Sequence, residues 1–204
     1  MALLIYGRNS VKTAITSRTA QKVYVVNNFQ DHHFLTLMKQ SHLPIKIVDR
    51  ATLTKLTKTD SHQGVAAEVL DYQYTPLEEL IKQGAQVNNP IIIMLDEIED
   101  PHNLGAILRI ADAFNVVGVI IKKNNQVQLN ATVAKVSTGA INYVKVSQVT
   151  NLNNAIKTLK EAGYWIIATD GSAKESYAKI DYRIPLTLII GSEGHGISQL
   201  VKTN

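Results

Sequence analysis

The chain has 204 residues, 45% of them hydrophobic and 19% charged, with 21 Lys and Arg against 17 Asp and Glu. That balance excludes a fibrous or disordered polypeptide, and the length admits one large domain or two small ones, each able to bury a core. No apolar run reaches the ~18 residues a bilayer span needs, MALLIYGRNS lacks the apolar core of a signal peptide, and cysteine is absent; these point to a cytoplasmic protein without membrane, thiolate metal site or Cys nucleophile.

In chain order, a helix follows GRNS, then come strand KVYVV, helix HHFLTLMKQ, strand IKIVD, helix ATLTKLTK and strand GVAAEV. Short Val- and Ile-rich runs alternating with helical spacing make residues 1–72 a small α/β domain. Residues 1–70 hold nine Lys/Arg against four Asp/Glu, whereas residues 71–204 hold twelve against thirteen. The basic surplus of the first third suits attraction to nucleic-acid phosphate, and equally suits ordinary solvated faces. Residues 73–89 read as a linker with a short helix inside it, closed by Asn-Asn-Pro at 88–90. From residue 90 to 204 longer strands follow: IIIML, VVGVII, YVKVS, YWIIATD and LTLIIG, separated by helices near 104–115, 130–137 and 152–162. Nearly continuous apolar strands between helices imply a parallel sheet covered on both faces. There is no internal repeat.

Open parallel sheets place ligands at the carboxyl ends of their strands. IIIML runs into DEIEDPHNLG and LTLII runs into GSEGHG. In the helix opening near Asn103, Leu104, Ile107, Ala111 and Phe114 form the expected buried stripe, with Leu108 and Ile110 alongside. Arg109 falls off that stripe. Its side chain would lean back over Gly105 toward a helix start capped by Asn103 or Asp100, a favourable place for a phosphate. Pairing with Asp112 at i+3 is the competing reading. The three glycines of GSEGHG allow a ligand close to main-chain amides or make an ordinary tight turn. They match neither a P-loop nor GxGxxG, and no GxSxG elbow occurs. Asp96, Glu97, Glu99 and Asp100 read as solvated or capping carboxylates rather than a Mg²⁺ site, and the adjacent His32 and His33 diverge on a helix, so no metal is expected.

DEIEDPHNLGAILRIADAF, VSTGA at 136–140 and LIIGSEGHGIS at 188–198 resemble successive motifs of the SpoU class of RNA ribose 2'-O-methyltransferases, within the SPOUT superfamily. IYGRNSVKTAI and SHQGVAAEV resemble the small RNA-binding domain of the branch that methylates a guanosine of 23S ribosomal RNA. The resemblance implies an α/β fold with an N-terminal RNA-binding domain (1–72) and a parallel-sheet catalytic domain (90–204) of the trefoil-knot type. It further implies a homodimer, S-adenosylmethionine as cofactor and RNA as partner. Asn103, Arg109 and Glu193 match the catalytic positions. Ile190, Gly191, Ser192, Gly194, Gly196 and Thr169 correspond to the donor-binding positions, and Arg8, Asn9, His62, Gln63, Ser137 and Gly139 to the RNA-binding ones.

A ribose hydroxyl must lose its proton as it attacks, so orientation and stabilisation of the developing alkoxide are the main tasks. A base role for Arg109 is opposed by the guanidinium chemistry of arginine, a donor with no lone pair to accept a proton. The reading adopted is that Arg109 grips phosphate and orients the hydroxyl, while a phosphate oxygen or water accepts the proton. After ISQLVKTN the family pattern continues with an Ile-Pro strand and a Ser-Leu-Asn segment that this sequence lacks, so weakened donor binding and an incomplete knot are expected. A transfer-RNA methyltransferase and a non-catalytic RNA-binding protein are the alternatives.

Overall fold

The computed structural model describes residues 3–69, 72–173 and 175–202. The chain forms two compact units, one of Met1–Gln73 with Leu129–Tyr143, the other of Tyr74–Gln128 with Val144–Asn204.

The first unit holds β1 (Leu3–Tyr6), α1 (Arg8–Thr16), β2 (Ala20–Val26), α2 (His32–Gln40), β3 (Ile45–Val48), α3 (Arg50–Thr57), β4 (Val65–Val69) and, from the distant segment, α6 (Ala131–Val136) with a 3₁₀ turn at Ala140–Asn142. The strands form a mixed sheet in the order β1-β4-β2-β3. β4 runs antiparallel to both its neighbours, and β2 and β3 are parallel. The strand β1 is not expected from the sequence, because LLIY is too short to show alternation. Helix starts are explained by their caps: Asp31 accepts from Phe34 N, Asp49 from Thr52 N, and Asn130 from Thr132 N and Val133 N. The segment Leu129–Tyr143 is fastened to α1 by Ser10 Oγ, which donates to Ala134 O at 3.1 Å, and by a close approach of Gly139 to Thr13.

The second unit holds α4 (Leu77–Gly84), β5 (Ile91–Leu95), α5 (Pro101–Ala113), β6 (Gly118–Lys122), β7 (Val146–Val149), α7 (Leu152–Glu161), β8 (Trp165–Ala168), β9 (Leu186–Ile190) and α8 (Gln199–Lys202). All strand pairs are parallel, in the order β7-β6-β5-β9-β8. This is the covered parallel sheet that the apolar strands demand: Ile92, Met94, Ile120 and Ile189 are buried against Leu80 of α4 and Leu152, Ile156 and Leu159 of α7. Among the described residues no helix is long and apolar enough to cross a membrane, and no three acidic or histidine side chains are grouped to hold a metal.

Helix α5 departs from its expected stripe. Leu104, Gly105, Leu108 and Ala111 are buried, whereas Ile110 is 54% and Phe114 78% exposed. At 100° per residue, Phe114 lies about 80° and Ile110 about 120° from Leu104, so both rotate off the buried face.

Candidate active site

Three neighbouring strand ends assemble the site of the second unit. The register pairs Leu95 with Ile190 and Ala168 with Ile189. Asp96 N then donates to Ile190 O at 2.9 Å, while Thr169 N and Oγ1 both donate to Ile189 O, at 3.1 and 3.0 Å. The chain leaving β9 folds into a closed turn in which Ser192 N donates to Gly196 O at 3.0 Å and Gly196 N to Ser192 O at 2.9 Å. His195 N donates to Ser192 Oγ at 3.3 Å. Gly191 is required by close approach: a Cβ there would stand 2.1 Å from the carbonyl carbon of Gly196. Gly196 is required by its φ of +66°. Gly194 has no such constraint, since an added Cβ would meet nothing within 4 Å.

Between this turn and the end of β8 lies a cleft of about 490 Å³ lined by Thr169, Asp170, Gly191, Ser192, Glu193 and His195, among others. Its size is that of a small-molecule site. Exposed main chain at glycines, hydroxyls and two carboxylates suit a nucleoside carrying hydroxyls and a positive centre. Of the expected donor-binding residues, Thr169, Gly191, Ser192 and Gly196 line this cleft. Ile190 is half-buried at the end of β9, and Gly194 is exposed in the turn.

Helix α5 starts beside the same edge. Pro101 occupies its first turn, and Asp100 caps it by accepting from His102 N at 2.7 Å. That backbone donor and the His102 ring hold the Asp100 carboxyl below the usual carboxylate range. Asn103 Nδ2 donates to Glu193 Oε1 at 3.0 Å, across 90 residues of sequence. The structure therefore brings two of the three expected catalytic residues into contact. Arg109 stands apart on the same helix, six residues or about 9 Å of helix rise beyond Asn103. It is exposed, on the face of His102 at i−7. Among the described residues it forms no ion pair or hydrogen bond, with Asp112 or any other group. Its cationic fork is thus free to meet an anion.

In the first unit, Arg8, Phe29, Arg50, Gln63 and Gly64 line a cavity of about 600 Å³. Arg8 lies over the Phe29 ring at 5.2 Å and pairs with Asp31 at 3.5 Å, and its backbone N donates to Gln63 Oε1 at 2.8 Å. Asn9 is exposed on the first turn of α1. His62 is fully buried: Gly64 N donates to its Nδ1 at 3.0 Å, and Nε2 lies 3.1 Å from Thr54 Oγ1. Burial, helped by the Arg50 charge, lowers its pKa. Ser137 is likewise fully buried, donating to Ala134 O at 3.1 Å. A Cβ on Gly139 would strike Thr13 at 2.3 Å. In this structure His62, Ser137 and Gly139 shape the unit from within, while Arg8, Asn9 and Gln63 face outward.

Comparison with known proteins bears directly on this arrangement. The family model described as "SpoU rRNA Methylase family" matches residues 90–204, and that described as "RNA 2'-O ribose methyltransferase substrate binding" matches residues 4–75. The protein YacO of Bacillus subtilis (strain 168), whose name places it in the TrmH family of tRNA/rRNA methyltransferases, is 41% identical over 203 residues, 97% of this chain and 81% of that protein. The chain belongs to the SpoU rRNA methylase family. Solved structures agree in fold. The SpoU methyltransferase AviRb from Streptomyces viridochromogenes superposes with a TM-score of 0.82 at 18% identity, covering 99% of this chain and 76% of AviRb. An AdoMet-bound rRNA methyltransferase from Sinorhizobium meliloti gives 0.80 at 20% identity, covering 100% and 75%.

As a SpoU methylase, the chain is an RNA methyltransferase, and its second unit carries one residue that sequence reasoning placed wrongly. Asp96, expected from the sequence to be a solvated or capping carboxylate, is fully buried at the end of β5. Its Oδ2 accepts from Ser198 N at 2.8 Å and Ser198 Oγ at 2.6 Å. An acid directly after five apolar residues is a faint sequence signal, but its partner 102 residues away is invisible without the fold.

Proposed function

We propose that this SpoU methylase transfers a methyl group from S-adenosylmethionine to a ribose 2'-hydroxyl of RNA, acting as a homodimer on a guanosine of 23S ribosomal RNA. The observation that carries the reading is the Asn103–Glu193 hydrogen bond at the rim of the cleft, which ties the start of α5 to the glycine turn. When bound, the donor supplies an electrophilic methyl on a sulfonium. Thr169, Gly191, Ser192 and Gly196 hold it from the cleft walls, and Glu193, braced by Asn103, orients the reacting groups. Arg109 binds phosphate of the target nucleotide and orients its hydroxyl, and a phosphate oxygen or water takes the proton. The substrate-binding match over residues 4–75 and the basic surplus of residues 1–70 support a large structured RNA. Transfer RNA is the second reading, since the names of relatives such as YacO give tRNA and rRNA together. The deciding experiment offers labelled donor and either unmodified 23S ribosomal RNA or unmodified transfer RNA. Label in alkali-resistant dinucleotides of 23S RNA is expected; label confined to transfer RNA, or released by alkali, would overturn the reading.

Two further outcomes follow from it. The double replacement Arg8→Ala, Arg50→Ala removes the cations around the cavity of the first unit. It should weaken RNA binding and flatten the slope of log affinity against log salt by about two, with donor affinity unchanged. Filter binding over a salt series measures this, and an unaltered slope would place the RNA elsewhere. The exposed Ile110 and Phe114 beside Arg109 are the apolar surface a second copy would cover. Phe114→Asp should therefore shift the species seen by light scattering from dimer to monomer, and a wild-type monomer would exclude this interface.

A further inference from the structure

We infer that Asp96 is a positioning residue that clamps both ends of the Glu193-bearing turn and so sets the shape of the donor cleft, an inference resting on the function proposed above. Its backbone N donates to Ile190 O, where the turn begins, and its carboxylate accepts both donors of Ser198, where the turn ends. One buried residue thus holds positions 190 and 198 together. Between them the Ser192–Gly196 pairing closes the loop that presents Ser192, Glu193 and His195 to the cleft.

The site is costly to build, which argues against filler. The carboxylate is fully buried, and among the described residues its Oδ1 has no hydrogen-bond partner. Lys122 Nζ, at the end of β6, approaches Asp96 Oδ1 and Glu97 Oε1 at 3.8 Å each. Immediately beyond, Glu97 adopts a left-handed φ of +59°, an uncommon backbone for a residue with a side chain. The following chain turns inward to bury Ile98 before reaching Asp100 and α5. Asp96 therefore also anchors the loop leading to Asn103, so it joins the two segments whose side chains meet at Asn103 and Glu193.

An amide cannot replace the acid. With its oxygen toward Ser198, an asparagine would turn an NH₂ into the buried Oδ1 position, where it would set a donor against the Lys122 cation. Flipped, it would oppose the two Ser198 donors with donors of its own.

The test measures binding of S-adenosylmethionine alone by calorimetry, with thermal unfolding and RNA affinity measured in parallel, on the full chain. Ser198→Ala should weaken donor binding about fivefold and Asp96→Asn about tenfold, the range of one or two hydrogen bonds to a charged group. Ser198→Thr, which retains the hydroxyl, should bind within about twofold of wild type. RNA affinity should stay within about twofold in all variants, which a general structural defect would not allow. Because the two residues act as one unit, the double variant should be no more than about twofold weaker than Asp96→Asn. Donor binding within about twofold of wild type in both single variants, or fully additive losses, would overturn the clamp. Should Asp96→Asn fail to fold, the contrast between Ser198→Ala and Ser198→Thr decides alone. Wild type that binds no donor would overturn the functional reading, and the clamp with it, whereas wild-type binding matched by the variants would overturn the clamp only.

Discussion

Arg109→Ala is expected to lower the single-turnover rate of methyl transfer by about 10²–10³-fold, the usual effect of deleting one group that stabilises developing charge. Arg109 is exposed and unpaired among the described residues, so its removal disturbs no internal contact. It lies about 140° round α5 from the buried Leu104, which leaves the apolar face of the helix intact. Unfolding temperature should therefore stay near wild type. RNA affinity should fall by less than about tenfold, because one phosphate contact among several is lost. Arg109→Lys keeps the charge but loses the planar fork and should recover only part of the rate. A rate within about threefold of wild type for Arg109→Ala would remove Arg109 from the reaction altogether.

Gly191→Ala is expected to abolish measurable donor binding at concentrations about tenfold above the wild-type dissociation constant. The added methyl would stand 2.1 Å from Gly196 C and 2.3 Å from Ile197 N, both main chain. No side-chain rotation relieves such an overlap, so the turn must open and the Ser192–Gly196 pairing must break. Overpacking of this kind costs about 1–3 kcal/mol, which should appear as a lower unfolding temperature. The matched variant Gly194→Ala meets open space and should leave that temperature near wild type. Any loss of donor affinity there reports contact with the ligand rather than a distorted turn. Equal donor affinity for Gly191→Ala and wild type, by the same titration, would show that this turn does not hold the donor.

Much of the fold is legible because its signals are local. The runs IIIML, GVIIK and LTLII are fully or almost fully apolar, and such strands have few homes outside a parallel sheet covered on both sides. Asp31, Asp49, Asn130 and Asn151 each sit just before a helix and cap it. The motifs around Asn103 and Gly191 are readable because their glycine, proline and asparagine spacing is dense and contiguous. The face of α5 is misjudged from sequence at Ile110 and Phe114, since the buried stripe is centred on Leu104, Leu108 and Ala111, and the two lie about 80–120° round the helix from Leu104.

By itself, then, the sequence determined the class of fold, the order of most of its elements but not β1, the family to which it belongs and the two segments that meet at the sheet edge. Each of these depends on neighbours in the chain: hydrophobic period, caps and turn chemistry. Only the tertiary structure decided that Leu129–Tyr143 packs with the N-terminal strands, that Asn103 touches Glu193, that His62 and Ser137 are interior, and that Asp96 reaches Ser198. Those outcomes rest on contacts across 90 or more residues, or on the balance between exposing and burying one polar group. Such contacts are set by strand order and packing, and short-range patterns carry no record of them.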